Sequence, residues 1–311
     1  MYSQLNDTTL EVIVNPASRS GRGVKAWNKI KPYFDETGVS YRVHFSGKGK
    51  GISDMVRRLT SKQSSDIVII GGDGSFNEAV NGITDFETTR LAFIPIGSGN
   101  DLARALDIQK NYRELVKTIA ELKTVRQLDI GVLEADGKRR LFNISSGMGF
   151  DALICRSANI SPLKTFLNRL GAGKLIYIMT ALKLILKNER FSCEIRTGDG
   201  RLKTFHKCLF AVCMNQKYEG GGYMFCPDAD SSDGLLDFCA VDNIGPLKFF
   251  FLFPKALKGA HVKRKEVSIF RARSATIRTT TPQYCHVDGE VDLNSSKLNF
   301  SILYDKLKLL M

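Results

Sequence analysis

The sequence predicts two domains: an N-terminal three-layer α/β domain with a mostly parallel sheet, and a C-terminal antiparallel β-sandwich domain with helical insertions. Before residue 125, apolar and β-branched runs alternate with polar or glycine-rich loops and with segments of helical periodicity. After that point, short strand-like segments follow one another, separated by Gly, Asp and Asn turns. The length of 311 residues also suits two domains better than one.

Four strand–loop–helix units follow one another in the N-terminal part. The predicted strands cover residues 9–14, 40–45, 66–70 and 91–96, and helical patterns follow at 24–34, at 52–60, from Ser75 onward and at 102–106. Successive units of this kind build a parallel sheet with helices on both faces. Because such sheets bind ligands at the carboxyl ends of their strands, we expect four loops to converge there: residues 15–23, 46–51, 71–75 and 97–101.

The pattern changes after a predicted helix at 112–122, so we place the domain boundary near 123–127. The predicted strands beyond it cover residues 126–134, 139–145, 191–197, 203–214, 235–241, 266–278, 284–287 and 297–302. Two helical segments interrupt them: an amphipathic stretch at 163–187 and the apolar, lysine-containing stretch 246–259 (PLKFFFLFPKALKG).

Composition narrows the class of protein. With 43% hydrophobic and 25% charged residues, the chain is typical of a globular protein. It shows no apolar run of membrane-spanning length and no pattern of a signal peptide, so we expect a cytoplasmic protein. Seven cysteines without CxxC spacing and four histidines without ligand spacing favour neither a disulfide framework nor a zinc site. The net charge of +13 suits anionic substrates or an anionic membrane surface, and the absence of a nucleic-acid motif argues against nucleic acid.

The stretch 66–83 (DIVIIGGDGSFNEAVNGI) carries the clearest chemical signal. A buried strand ends in two glycines, and Ser75 and Glu78 have the spacing of a capping box, so a helix is expected to begin at Ser75. Backbone N–H groups then point at one spot, which is a phosphate cradle. The carboxylate of Asp73 beside phosphates needs a cation or a sugar hydroxyl as mediator, and Mg²⁺ fits. A capped strand–helix turn without a ligand is the alternative.

Two acidic turns lie in the second domain. The loop from Asp230 to Leu235 (DSSDGL) places two carboxylates and turn carbonyls close together, which suits a hard cation or a plain acidic β-turn. The segment VDGEV presents Glu290 on a tight turn, and an ordinary hairpin with a solvated glutamate is the alternative.

Five motifs in order resemble the diacylglycerol kinase catalytic family, in particular the soluble bacterial lipid kinases: NPAS at 15–18, GGDG at 71–74, GSGND at 97–101, DADSSDGLLD at 228–237 and HVDGE at 286–290. The resemblance implies an ATP- and Mg²⁺-dependent transfer of the γ-phosphate to a lipid hydroxyl, with diacylglycerol as the first candidate acceptor and phosphatidic acid as product. It also implies that the chain end returns to the first domain. The expected domains are 1–125 with 297–311 for ATP binding, and 126–296 for the lipid substrate.

The resemblance assigns roles residue by residue. The implied nucleotide-binding residues are Asn15, Pro16, Ala17, Ser18, Ser46, Gly71, Gly72, Asp73, Gly74, Ser75, Asn77, Ser98 and Asn100. Arg19 stands where the family usually has glycine, and Gly21 is the candidate to replace it. Asp101 is a second acidic residue facing the nucleotide, or else only a favourable charge at a helix N-terminus.

The remaining implied roles concern the second domain. Asp230 and Asp233 supply side chains, and Leu235 its carbonyl, to a structural magnesium site. Glu290 is the general base that accepts the proton of the attacking hydroxyl, with Asp73 and Asp101 as the other catalytic carboxylates.

Partners and rival functions follow from the same features. The basic residues Lys263, Arg264 and Lys265 beside the stretch 246–259 suit peripheral contact with anionic lipids, and a buried helix with a solvated basic turn is the alternative. The sequence does not decide between a monomer and a homodimer. Rival functions are another kinase with a GGDG loop, acting on phosphatidylglycerol, a sphingoid lipid or NAD, and a catalytically silent regulator that binds nucleotide or lipid.

Overall fold

The computed structural model describes residues 9–47, 51–61, 65–160, 185 and 190–311. The chain divides into two compact units, Met1–Leu128 with Asp305–Met311, and Asp129–Tyr304. The amphipathic helix predicted at 163–187 lies, apart from Ile185, outside the described residues.

The first unit is an α/β domain with a mostly parallel six-stranded sheet in its described part, in the order β2-β1-β3-β4-β15-β5. Its strands are β1 (Leu10–Val14), β2 (Tyr41–Phe45), β3 (Ser65–Gly71), β4 (Thr89–Pro95), β5 (Val125–Leu128) and β15 (Leu307–Leu310). Strands β2, β1, β3, β4 and β15 are parallel, whereas β5 runs antiparallel to β15. Every residue of β1 and β3 is buried, as expected for a sheet covered on both faces. The predicted fold class of this domain is confirmed.

Amphipathic helices cover this sheet. They are α1 (Gly23–Thr37), α2 (Ile52–Thr60), α3 (Asp73–Val80), α4 (Asp101–Ala105) and α5 (Tyr112–Glu121). Helix α1 buries Trp27, Ile30 and Phe34, which recur at helical spacing on one face.

The predicted start of α3 at Ser75 is wrong. The helix begins at Asp73, and its N-cap residue is Gly72. The capping box does not form because both side chains bind elsewhere: Ser75 Oγ accepts from Asn15 Nδ2 at 2.8 Å, and Glu78 Oε2 accepts from the amide of Ile52 at 3.3 Å. Contacts from distant segments therefore override the local pattern.

The second unit is built on antiparallel strands, nine of them in the described part of the chain. They are β6 (Gly131–Ala135), β7 (Lys138–Phe142), β8 (Ser145–Gly149), β9 (Phe191–Thr197), β10 (Leu202–Met214), β11 (Leu236–Asp242), β12 (Val267–Ala272), β13 (Ser274–Val287) and β14 (Glu290–Ile302). Helix α6 (Phe150–Ile160), helix α7 (Pro246–Leu252) and a 3₁₀ segment (Phe253–Lys258) interrupt them.

Long strands give this unit its layered form. Strands β8 and β9 each pair with both β10 and β13, at different positions along those two strands. The long strands therefore pass from one layer to the other, with an apolar core that includes Phe142, Phe238 and Phe300. This arrangement agrees with the predicted sandwich.

Several predicted strands differ from the observed ones. The segment 126–134 forms β5 of the first unit and β6 of the second, because Leu128 marks the crossing between units. The segment 266–278 forms β12 and the start of β13, and β8 was not predicted. Residues 297–302 belong to β14, which pairs with β13 and β6, so the structure places them in the second unit and not in the first as expected. Only Asp305–Met311 returns, to insert β15 between β4 and β5.

Candidate active site

The loops of the first unit converge at the carboxyl edge of its parallel sheet. The loops after β3 and β4 touch, since a Cβ atom built on Gly97 would lie 2.8 Å from Cα of Gly72. The loop after β1 joins them through the hydrogen bond from Asn15 Nδ2 to Ser75 Oγ. The loop that begins at Ser46 follows β2, which is parallel to β1 in the adjacent position. The predicted convergence is confirmed for the three loops in contact, and the strand order places Ser46, where the fourth loop begins, at the same edge.

Glycine is required at two points of this edge. A Cβ on Gly71 would lie 2.4 Å from Cβ of Ser75, and a Cβ on Gly23 would lie 2.0 Å from the carbonyl oxygen of Asn15. Neither clash is relieved by rotating a flexible side chain, because the first involves a Cβ and the second the backbone. The close approach of strand, loop and helix here therefore depends on the missing side chains.

The loop after β1 contains a short left-handed turn. Arg19, Ser20 and Gly21 have φ angles of 51°, 58° and 85°. Arg19 occupies the position where the resemblance leads one to expect glycine, and its backbone adopts the conformation that favours glycine. Arg19 therefore holds a conformation that is strained for a residue with a side chain.

The carboxylate of Asp73 caps a neighbouring helix. Its Oδ2 accepts from the amide of Asp101 at 3.1 Å, and its Oδ1 accepts from the amide of Leu102 at 3.2 Å. These are first-turn amides of α4, which have no partner within their own helix. Asp73 thus has a structural role that the sequence did not reveal. A carboxylate offers about four acceptor positions, so one that caps a helix can also face a cation.

Asp73 and Asp101 flank one small space. A Cβ built on Gly99 would lie 3.3 Å from Asp73 Oδ2 and 3.5 Å from Asp101 Oδ2, so a side chain there would fill the gap between the carboxylates. Asp101 is buried and forms an ion pair with Arg104, which also donates to the carbonyl of Gly99 at 3.1 Å. Two carboxylate oxygens around a space kept open by glycine are a donor set that fits Mg²⁺.

The other predicted nucleotide-binding residues take varied positions. Asn100 adopts a left-handed conformation and donates to the carbonyl of Gly97 at 3.1 Å. Asn77 is buried in α3, and its side-chain oxygen accepts from Asn81 at 3.1 Å, so it supports the helix from inside. Ser98 is exposed. Of the remaining members, Pro16, Ala17 and Ser18 follow β1, and Gly74 lies in the first turn of α3.

In the second unit, Asp288 and Gly289 form the turn between β13 and β14. Their φ angles of 46° and 83° are those of a type I′ hairpin turn, and Val287 pairs with Glu290 across it. The Asp288 carboxylate accepts from the amides of Asn143, Ile144 and Ser145, each at 2.9 Å. The hairpin alternative is therefore correct for the backbone, and Asp288 fastens the turn to the loop between β7 and β8.

Glu290 itself is half exposed and lies beside an arginine. Arg140 Nη2 is 3.1 Å from Glu290 Oε2, and Arg140 Nη1 is 2.7 Å from Asp292 Oδ2. One guanidinium group thus holds two carboxylates on the same face of β14. The assignment of Glu290 as general base stays a prediction. Asp292, which pairs with the same arginine, is a suitable position for a control substitution.

A buried charged cluster lies directly before this turn. His286 Nε2 is 2.7 Å from Asp151 Oδ2 and 3.5 Å from Glu219 Oε1. Burial lowers the pKa of His286, but the charges of the two carboxylates outweigh it and raise the pKa to about 9. The amide of Gly289 lies 3.3 Å from Nδ1, which can accept a hydrogen bond only in the neutral ring. The two nearby carboxylates favour the protonated ring, whereas this contact favours the neutral one.

Sequence spacing could not reveal this cluster. The cluster also includes Cys155. Side-chain atoms of Cys155, Glu219 and His286 lie within 4.8 Å of one another, although the residues are far apart in the sequence. The only sequence signal was that His286 precedes the Asp-Gly-Glu turn.

The acidic loop from Asp230 to Leu235 is closed by hydrogen bonds of its own. Asp230 Oδ1 accepts from the amide of Ser232 at 3.0 Å, and Asp233 Oδ1 accepts from the amide of Leu235 at 2.9 Å. The other oxygen of Asp233 is 2.7 Å from Arg271 Nη2. The cation that faces Asp233 is therefore a guanidinium group, an arrangement that favours the acidic-turn alternative. The magnesium ligands predicted here stay untested.

Arg271 also reaches a second carboxylate, since its Nε lies 3.0 Å from Asp237 Oδ1. Burial raises the pKa of Asp237 to about 6, even though the charge of Arg271 acts in the opposite direction.

The parallel-sheet unit with converging loops and the antiparallel sandwich unit each match a known protein family. Residues 9–133 match the diacylglycerol kinase catalytic domain, and residues 144–311 match the YegS C-terminal NAD kinase beta sandwich-like domain. The chain therefore belongs to the diacylglycerol kinase-like family, and it is a kinase.

Curated relatives align along most of the chain. The diacylglycerol kinase of Mycobacterium tuberculosis (strain ATCC 25618 / H37Rv) is 27% identical over 266 residues, covering 85% of this chain and 83% of that protein. The diacylglycerol kinase of Bacillus subtilis (strain 168) is 25% identical over 285 residues, covering 90% and 88%.

Solved structures share the fold. A diacylglycerol kinase from Bacillus anthracis str. Sterne superposes with a TM-score of 0.70 at 19% identity, covering 99% of this chain and 98% of that one. An NAD kinase from Archaeoglobus fulgidus in complex with ATP superposes with a TM-score of 0.52 at 11% identity, covering 98% and 94%.

Proposed function

We propose that this kinase transfers the γ-phosphate of ATP to the free hydroxyl of diacylglycerol and produces phosphatidic acid. Support comes from the relatives named diacylglycerol kinase, which align along more than four fifths of the chain. One structural observation carries the proposal: two carboxylates, Asp73 and Asp101, flank a space kept open by Gly99 at the edge where three loops meet.

The first unit binds and orients the nucleotide in this proposal. The amides in the first turn of α3 have no partners within their helix, and Gly72, the N-cap residue, has no side chain to cap them. They are suited to hold phosphate oxygens. Asp73 and Asp101 would hold Mg²⁺, which when bound neutralises charge on the phosphates.

The chemical step is a single displacement at phosphorus. The acceptor oxygen forms a bond to the γ-phosphorus while the bond from that phosphorus to the β–γ bridging oxygen breaks, which gives a phosphate ester and ADP. The proton of the acceptor hydroxyl passes to the carboxylate of Glu290, which Arg140 orients. We also propose that the protein is cytoplasmic. Because the acceptor is a lipid, the protein would work as a peripheral protein at a membrane surface.

The test is the choice of acceptor. The purified protein is incubated with γ-labelled ATP, Mg²⁺ and, in separate reactions, diacylglycerol, phosphatidylglycerol, ceramide and NAD. We expect label in phosphatidic acid. Label in NADP instead would assign the chain to the NAD kinase alternative, and label in another lipid would change the acceptor. Nucleotide binding without any labelled product would support a silent regulator.

A further inference from the structure

Helix α7 presents a row of large apolar side chains to solvent. Leu247, Phe250 and Phe251 are 74%, 47% and 63% exposed. They recur at spacings of three and four residues, so they share one side of the helix, and the rings of Phe250 and Phe251 lie 5.5 Å apart. We call these three residues the Phe250 face.

The opposite side of the same helix is fixed to the core of the second unit. Phe249 and Leu252 are buried, and the ring of Phe249 lies 5.2 Å from that of Phe150. Phe253, which follows the helix, stacks on Tyr223 at 4.4 Å. Two side chains of α7 and the next residue therefore anchor the helix, and the exposed row is not needed for that packing.

The charged residues in the segment around the Phe250 face are all basic. From Gly245 to Lys265 there are six lysine or arginine residues and no aspartate or glutamate. They are Lys248, Lys255, Lys258, Lys263, Arg264 and Lys265, all exposed. Lys248 forms an ion pair with Glu266, and the charge of Lys265 also acts on that carboxylate, so the segment remains positive after this one acidic neighbour is counted.

We propose that the Phe250 face enters the headgroup region of an anionic lipid bilayer while the surrounding basic side chains contact lipid phosphates. This inference rests on the proposed function, to which it adds the surface that docks on the membrane carrying the acceptor. Aromatic side chains gain free energy by leaving water at this depth, and lysines near the surface are attracted to anionic lipid. In the described residues, no helix is long and apolar enough to span a membrane.

Charge argues for a bilayer over a second copy of the chain. A symmetric dimer through this face would place the same positive segments together, which opposes association. An anionic bilayer gives both an apolar interior for the three side chains and opposite charge for the basic ones. Lysine stems also extend along apolar surface and keep their amines in the headgroup layer.

The test measures binding without nucleotide or acceptor. Wild-type protein is sedimented with vesicles of phosphatidylcholine alone, and with vesicles of equimolar phosphatidylcholine and phosphatidylglycerol. The apolar variant is Phe250→Ser with Phe251→Ser, and its matched control is Leu202→Ser, an exposed leucine on β10. The charge variant is Lys263→Glu with Lys265→Glu, and its control of equal charge change is Lys110→Glu with Lys117→Glu, both exposed in the first unit.

We expect wild type to bind the anionic vesicles and both test variants to bind them at least about tenfold more weakly. The two control variants should bind about as tightly as wild type. Equal binding of the Phe250 variant and wild type would overturn the proposal. So would a wild-type dimer that the Phe250 variant abolishes, together with no vesicle binding. Phosphorylation of a dispersed short-chain diacylglycerol, measured on the same variants, separates this result from the proposed function, because that acceptor needs no docking surface.

Discussion

The three backbone-amide hydrogen bonds to the Asp288 carboxylate predict a measurable loss of stability on substitution. In Asp288→Asn the remaining carbonyl oxygen can serve two of the three amides of the β7–β8 loop, while an amide NH₂ group faces the third. Hydrogen bonds to a charged group contribute about 1.5–3 kcal/mol each, so the loss of one and the weakening of the others should cost about 2 kcal/mol. A loss of this size raises local opening about thirtyfold.

The matched control is a second turn of the same type. Asp136 and Gly137 join β6 to β7 with φ angles of 50° and 76°, and Asp136 is exposed. Since asparagine adopts the left-handed conformation at least as easily as aspartate, Asp136→Asn should change stability by less than about 0.5 kcal/mol.

Amide hydrogen exchange of a peptide that covers residues 143–145 is the direct assay. We expect exchange there to accelerate about thirtyfold in Asp288→Asn and to stay unchanged in Asp136→Asn. Equal exchange in the two variants would refute the reasoning, because it would mean that the carboxylate contributes nothing beyond the turn.

Three further predictions concern both units. Arg19→Gly should raise the free energy of unfolding by about 0.5 kcal/mol in urea titrations, because glycine relieves the left-handed backbone, whereas Arg22→Gly, at φ −95°, should not. The pKa of His286 is raised in the fold to about 9, so the protonated ring stabilises the folded protein fully below pH about 6.5. This contribution to the free energy of unfolding disappears as the pH rises toward about 9. The thermal midpoints of wild type and His286→Gln should therefore converge between these two pH values. Asp73→Asn should lower activity by orders of magnitude and stability by about 1 kcal/mol, and Asp107→Asn, at an exposed position, should change neither; full activity of Asp73→Asn would refute its role.

The sequence predicted the features that depend on short-range pattern. Buried β-branched runs ending in glycine gave the parallel strands, and the rule that parallel strands end at one edge gave the convergence of the loops at Gly72 and Gly97. The hairpin at Asp288 and Gly289 followed from turn chemistry alone.

Features set by distant contacts could not be predicted in this way. Asn15 takes the Ser75 hydroxyl that a capping box would have used, and Asp73 caps a helix 28 residues further along the chain. The bond between His286 and Asp151 spans 135 residues. Spacing patterns report neighbours within a few residues, so contacts over these separations need the fold.

Asp73 shows the consequence for function. From the sequence, its carboxylate had one role, beside the phosphates. In the structure it also holds the first turn of α4, so one substitution should change both activity and stability. The two effects must be measured separately before a catalytic role is assigned.

The rate of phosphate transfer in a single turnover of Glu290→Gln, compared with Asp292→Asn, tests most directly whether this chain catalyses the transfer with Glu290 as base. Each variant removes one of the two carboxylates that pair with Arg140, so both leave this arginine with a single ion pair of the two. We expect Glu290→Gln to bind ATP normally and to transfer phosphate to diacylglycerol at least about a hundredfold more slowly, while Asp292→Asn stays near the wild-type rate. Near-wild-type transfer by Glu290→Gln, or an equal loss in both variants, would contradict the assignment of Glu290 as the base.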